Sequence, residues 1–233
     1  MILHTQMIQA CQEMEQWSAS IDPSPQLQLS CDMPLSDRST SLIYDLPSIV
    51  ERLDLTKLFA PPQPLEVELG CGDASFLVEL ARRHPERNFI GVERLLGRLR
   101  KLDRKGGRAG LTNLRGVRIE SAYFLEYLLP PHSVSVLHIY FPDPWPKKKH
   151  RKYRLINERF PGLARAVLEP GGLVYLRTDD EDYFKQMTEL FGADRNFGQV
   201  ETPAGLVELQ TDFEKEFHER GIGTQHAGYK IYD

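Results

Sequence analysis

The stretch "EVELGCGDASF" sets two candidate ligand-binding features side by side: a carboxylate at Glu68 and a glycine pair at Gly70 and Gly72. Glycine there permits a tight turn and lets a ligand approach the main chain. The dinucleotide fingerprint G-x-G-x-x-G is incomplete, because Ser75 stands at its third glycine. A carboxylate beside a pyrophosphate would be repulsive, whereas it suits a cationic ligand end such as an ammonium. Glu93 closes the next apolar run, where an acidic side chain can accept both hydroxyls of a ribose. A second constellation is "FPDPWPKKKHRKYR", residues 141–154, in which prolines flank Asp143, Pro146 follows Trp145, and six of the next eight residues are Lys or Arg. Three prolines suppress flexibility, as suits a side chain held near a reacting atom. Further on, "LRTDDEDYF" offers Thr178 or Asp179 as a helix cap, and "TDFEKEFHERG" reads as a capping box with Thr211 at the N-cap and Glu214 three residues later.

The elements that must position these residues alternate. "LEVEL", "NFIGVE", "LRGVRIE", "VSVLHIYF" and "GLVYLRT" read as strands. Helices are expected over "ASFLVELARRH", the basic "RLLGRLRKLDRK", and near 122–128, 153–168 and 180–191. Such alternation with right-handed crossovers means an α/β fold, a doubly wound parallel sheet with ligands outside the carboxyl ends of its strands. Every motif above falls at such an end. "AGYKIY" is expected as a last, antiparallel strand at or near the edge. A helix is expected from about Leu46 to Phe59, with Asp45 as N-cap and Pro47 in the first turn. Residues 1–40, rich in Ser, Pro, Asp and Gln after residue 18, read as a mobile acidic arm with one short helix around 4–16. Residues 41–233 then form a single domain.

The net charge of -4 hides an asymmetry. Residues 94–118 carry nine bases and one acid, residues 147–165 eight bases and one acid, and residues 178–233 five bases and thirteen acids. Two basic segments in an otherwise acidic chain suggest a polyanion-facing surface. The three cysteines show neither a C-x-x-C pair nor metal-ligand spacing, so no metal is expected and a reduced, cytoplasmic setting is the easier reading. The N-terminus has no signal-peptide pattern, and no apolar run approaches a bilayer span.

"VELGCGDASFL", "PERNFIGVE", "FPDPWPKKKHRKYRL", "LEPGGLVYLRTD" and "TDFEKEF" occur in the order and spacing of bacterial tRNA (guanine-N7-)-methyltransferases. The resemblance covers roughly residues 46–233 and is most specific in F-P-D-P-W-P-K with its basic run. It implies a Rossmann-like, seven-stranded class I methyltransferase sheet with the last strand antiparallel, acting as a monomer or homodimer. It implies S-adenosyl-L-methionine as cofactor, bound by Glu68, Gly70, Gly72, Glu93 and Ser121 or the Ala122 backbone. Asp143 would be the catalytic residue, facing the reactive methyl and accepting hydrogen bonds from the guanine edge. Lys147, Asp179, Thr211 and Glu214 would bind substrate tRNA, Asp179 capping the next helix as well. Lys148, Lys149, His150, Arg151, Lys152 and Arg154 would meet phosphates. The chain departs from the pattern at the third strand end, where Ser121 beside Glu120 replaces an acid, and ahead of the first strand, where only Arg38, Ser39 and Thr40 answer a basic element. A methylase of another RNA base or of a protein would share most of these features.

Overall fold

The computed structural model describes residues 41–232; the expected arm, its helix over 4–16 and the triad Arg38, Ser39 and Thr40 lie outside the described residues. Eight strands form one sheet: β1 (Ile43–Tyr44), β2 (Leu65–Leu69), β3 (Asn88–Val92), β4 (Leu114–Val117), β5 (Val134–Tyr140), β6 (Leu168–Thr178), β7 (Phe197–Val200) and β8 (Gln225–Ile231). Their order is β1-β4-β3-β2-β5-β6-β8-β7, and β8 alone runs antiparallel to its neighbours. Seven strands make the expected doubly wound sheet. The eighth is β1, a two-residue strand added parallel to β4 at the edge. The last strand lies one place in from the opposite edge, between β6 and β7.

Central strands are buried throughout because both faces are covered: all five residues of β2 and of β3 are buried, Glu66, Glu68 and Asn88 among them. Helix α1 (Ser75–Arg83) buries Phe76, Leu77, Leu80 and Ala81, the face its periodicity marked. Helix α2 (Leu96–Arg108) buries Leu99, Leu102 and Gly106 and turns most of its bases to solvent. The element near 122–128 is a three-residue helix, α3 (Ser121–Tyr123), running into a π-helical turn over Phe124–Leu128. The expected 153–168 helix divides. A 3-10 turn occupies Lys148–Tyr153, and α4 (Phe160–Val167) starts with a proline in its first turn. After β6 come α5 (Glu181–Ala193), α6 (Ala204–Glu208) and α7 (Asp212–Glu219).

The expected helix over Leu46–Phe59 is absent. Only Leu55–Lys57 coil, as a 3-10 turn whose cap is Asp54 rather than Asp45. The Leu53 amide donates to the Leu128 carbonyl instead of up a helix, which lets Leu53, Leu58 and Phe59 be buried in the core as an irregular cover.

One sheet face holds a polar ladder. Glu66 and Glu68, His138 and Tyr140, and Tyr175 and Arg177 alternate along β2, β5 and β6 and are buried together. His138 bridges the Glu66 carboxylate (2.7 Å) and the Tyr140 hydroxyl (2.9 Å), and Arg87 also donates to Glu66. Among the described residues no helix is long and apolar enough to cross a membrane, and no group of three His, Cys, Asp or Glu could hold a metal ion.

Candidate active site

The parallel strands β2 to β6 deliver Glu68, Glu93, Ser121, Asp143 and Asp179 to one edge of the sheet. After β2 the chain turns through Gly70 (φ 79°), Gly72 (φ 54°) and Ala74 (φ 59°), with the Gly70 and Cys71 amides both donating to the Val92 carbonyl at 2.9 Å. A side chain on Gly70 would meet nothing within 4 Å, so the left-handed backbone, not crowding, demands glycine there. Beneath this turn Glu68 is 4% exposed, and its Oε2 has no hydrogen-bond partner among the described residues. Burial pushes the carboxyl up to about 8; Arg177 opposes the rise, and Asp73 and Glu93 add to it. An enclosed, unpartnered acceptor below an open glycine turn fits the donor-rich cationic end of S-adenosylmethionine.

Glu93 is buried as well, and its Oε1 accepts from the Leu95 amide (2.8 Å) at the entrance to α2. Its Oε2 lies 3.7 Å from Arg98. Ser121 opens α3 and is partly exposed. The Ala122 amide, expected to be open to a ligand, instead donates to Glu120 Oε1 (3.0 Å), while Tyr123 donates to Glu120 Oε2 (2.8 Å). A helix start needs its first amides satisfied, and Glu120 does so.

Asp73 was not singled out from the sequence. It accepts from the Ser75 amide (3.2 Å), the Ser75 hydroxyl (3.0 Å) and Lys105 (2.5 Å), and Ser75 also donates to Asp212 (2.7 Å). Burial alone would raise Asp73, but the Lys105 and Ser75 donors bring it down to about 2. This network joins the starts of α1 and α7 to α2. Lys105 is thus half-buried in an ion pair within the protein, although its segment was read as phosphate-facing.

Asp143 is exposed and lies three residues beyond β5, between two strained residues, Phe141 (φ 50°) and Trp145 (φ 43°). What holds this turn is Arg154. It is 1% exposed, donates to the Pro144 carbonyl (2.7 Å), Gln186 (2.6 Å) and Asp182 (2.7 Å), and lies 4.5 Å over the Tyr183 ring. Arg154 was expected to meet phosphates, but its guanidinium is buried and committed to these partners, of which Asp182 alone is exposed. Arg151 is shared with Asp182 at 3.0 Å, whereas Lys147, Lys148, Lys149 and Lys152 are exposed.

At the end of β6 the helix cap is Asp180, which accepts from the Tyr183 amide at 2.7 Å; neither Thr178 nor Asp179 fills that place. One residue's difference in where the helix begins leaves the partly exposed Asp179 outside the cap. Thr211 and Glu214 form the expected capping box of α7. Glu214 is also 1% exposed and pairs with Arg177 (2.9 Å), itself 1% exposed, so its carboxylate is enclosed rather than presented to a substrate. Arg177 donates further to the carbonyls of Leu209 (2.9 Å) and Leu206 and lies 4.2 Å over the Tyr140 ring. The sequence offered no local sign of Arg154 or Arg177, because their partners lie 10 to 37 positions away.

A family model described as a putative methyltransferase matches residues 62–233. A tRNA (guanine-N(7)-)-methyltransferase of Rubrobacter xylanophilus is 36% identical over 72% of this chain and 77% of that protein. One of Thiobacillus denitrificans is 36% identical over 81% of this chain and 82% of that protein. Among solved structures, the 16S rRNA methyltransferase KamB aligns with TM-score 0.57 at 17% identity, covering 78% of this chain and 95% of that one, a likeness of fold. With the glycine turn, the enclosed Glu68 and the clamped Asp143 turn in place, the chain belongs to the tRNA (guanine-N(7)-)-methyltransferase family.

Proposed function

We propose that this chain methylates N7 of a guanosine in the variable loop of tRNA, using S-adenosylmethionine. The observation that carries the reading is a pair of carboxylates of opposite character on directly paired strands. Glu68 on β2 is enclosed, its Oε2 without a partner among the described residues, and Asp143 beyond β5 is exposed on a clamped turn. S-adenosylmethionine supplies an electrophilic methyl group. The chain's part is to bind, to orient and to stabilise developing charge.

Glu68 accepts from the cofactor's ammonium, Gly70 and Gly72 allow the main chain to close on it, and Glu93 offers Oε2 to the ribose. Ser121 presents its hydroxyl to the adenine, while Ala122, whose amide is held by Glu120, contributes contact alone. Guanine N7 has a lone pair and no proton, so no strong general base is needed. Asp143 accepts from the N1–H and amino edge of the base and favours the positive charge growing on the ring. Its rigid turn means little reorganisation as that charge appears.

Lys147 and Asp179 meet the RNA beside the target base. Thr211 and Glu214 act at one remove, by fixing α7 through Arg177. Lys148, Lys149 and Lys152, with Arg100, Lys101 and Arg104 on α2, are exposed and suited to phosphates.

Incubation with labelled S-adenosylmethionine and unmodified tRNA, followed by nucleoside analysis, tests this reading. N7-methylguanosine is the expected product. Its absence from a chain shown to bind the cofactor, or label on another base, would sink the proposal.

A further inference from the structure

Trp145, His150 and Tyr153 stand together on the surface of the basic segment. Trp145 meets His150 edge-on at 5.9 Å and Tyr153 at 5.4 Å, and His150 lies 6.2 Å from Tyr153. Trp145 is 36% exposed and Tyr153 57%. None of the three belongs to either apolar core of the protein. Exposing large rings to water brings no stability, and holding Trp145 at φ 43° between two prolines is strained. The strain is maintained from below, where Arg154 grips the Pro144 carbonyl. The fold therefore keeps an aromatic cluster at the surface, held in place but outside both apolar cores of the described residues.

Charge narrows what could cover it. Lys147, Lys148, Lys149 and Lys152 are exposed around the rings, and Lys152 lies 5.1 Å over Tyr153. A fitting occupant has flat π-faces and negative charge at close spacing, which describes an unpaired nucleotide. We propose that Trp145, His150 and Tyr153 form a stacking platform for an unpaired RNA nucleobase other than the one methylated at Asp143. This rests on tRNA being the substrate. The platform supplies affinity independent of salt, while the surrounding lysines supply the salt-dependent part.

The two parts separate experimentally. The full chain contains only Trp17 and Trp145, so Trp17→Phe makes Trp145 the sole tryptophan reporter. Unmodified tRNA should quench its fluorescence, whereas heparin, which carries charge without bases, should not. Trp145→Leu and Tyr153→Leu should each weaken tRNA binding roughly 10-fold with an unchanged slope of log affinity against log salt. Trp145→Phe, which keeps an aromatic face, should recover most of the affinity. Lys148→Ala should instead flatten the salt slope. Equal quenching by heparin, or leucine variants that bind tRNA like the parent, would overturn the platform. The exposed Tyr153 keeps the test sound should Trp145→Leu unfold. Binding is read without methyl transfer, so the outcomes are distinct. A chain that quenches with tRNA but makes no N7-methylguanosine defeats the proposed reaction alone. A chain that makes it while both leucine variants bind normally defeats the platform alone.

Discussion

Glu68 makes a measurable trade between stability and cofactor binding. Its carboxyl is raised by burial from an ordinary 4.5 to about 8. Below pH 4.5 the group is protonated in both the folded and unfolded chain and exerts no pH-dependent effect. As pH rises, the unfolded chain loses the proton first, so stability falls from there until the folded group also ionises near 8. For a rise of that size the full loss is about 5 kcal/mol. Glu68→Gln removes the ionisation but leaves a buried amide short of partners, a penalty of roughly 1–3 kcal/mol. The variant should therefore be about 2–4 kcal/mol more stable than the parent at pH 8.5, and about 0–2 kcal/mol less stable than it at pH 5. Urea unfolding at both pH values, compared at constant slope, reads this difference. Calorimetry on the same samples should show S-adenosylmethionine affinity reduced at least about 100-fold in the variant. In the parent, affinity should rise about tenfold per pH unit from 6 toward 8, then level off as the ligand's own amine loses its proton. A variant less stable than the parent at pH 8.5, or a difference identical at both pH values, would refute the assignment of Glu68 as an enclosed, unpartnered carboxyl.

Arg177→Met should cost about 3–5 kcal/mol in urea unfolding, because buried Glu214 loses its arginine and keeps only the Thr211 amide and the more distant His226. Adding Glu214→Gln should restore part of that loss, and a single-variant cost under about 1 kcal/mol would contradict the pairing. Arg154→Leu should lower kcat/KM about 10- to 100-fold by freeing the Pro144 carbonyl, while leaving the salt slope of tRNA binding unchanged. A slope reduced as in Lys148→Ala would mean that Arg154 meets a phosphate after all. Asp143→Ala should reduce methyl transfer about 100-fold with tRNA affinity within a few-fold of the parent, measured by nucleoside analysis beside filter binding. Retained transfer would remove Asp143 from the chemistry.

Much of the architecture follows from short-range pattern. "LEVEL" and "NFIGVE" are strands because short apolar-rich segments suit a sheet covered on both faces, with Glu66 and Glu68 alternating onto the polar ladder. Helix α1 declares its buried face by spacing, and the Thr211–Glu214 box is complete within four residues. The Leu46–Phe59 segment misled for the converse reason. Its apolar residues are spaced well enough for a helix, but Leu53 is held by the Leu128 carbonyl, a partner no local pattern contains.

By itself the sequence determined the alternation of strands and helices from β2 to α5 in outline, the glycine turn and the capping box. Each depends on residues close together in the chain. Only the tertiary structure decided which charges face inward. Arg154 sits in the same basic run as Lys148, yet it is buried and donates to Pro144, Gln186 and Asp182. Lys105 belongs to a helix of surface bases, yet Asp73 claims it. Glu68 Oε2 is left without a partner among the described residues, although Arg177 on the same polar ladder donates to Glu214 and two carbonyls. A side chain's charge is written in its residue type. Whether that charge is neutralised inside, offered to RNA or held in reserve for a cationic ligand depends on distant partners and burial, which only the folded chain supplies.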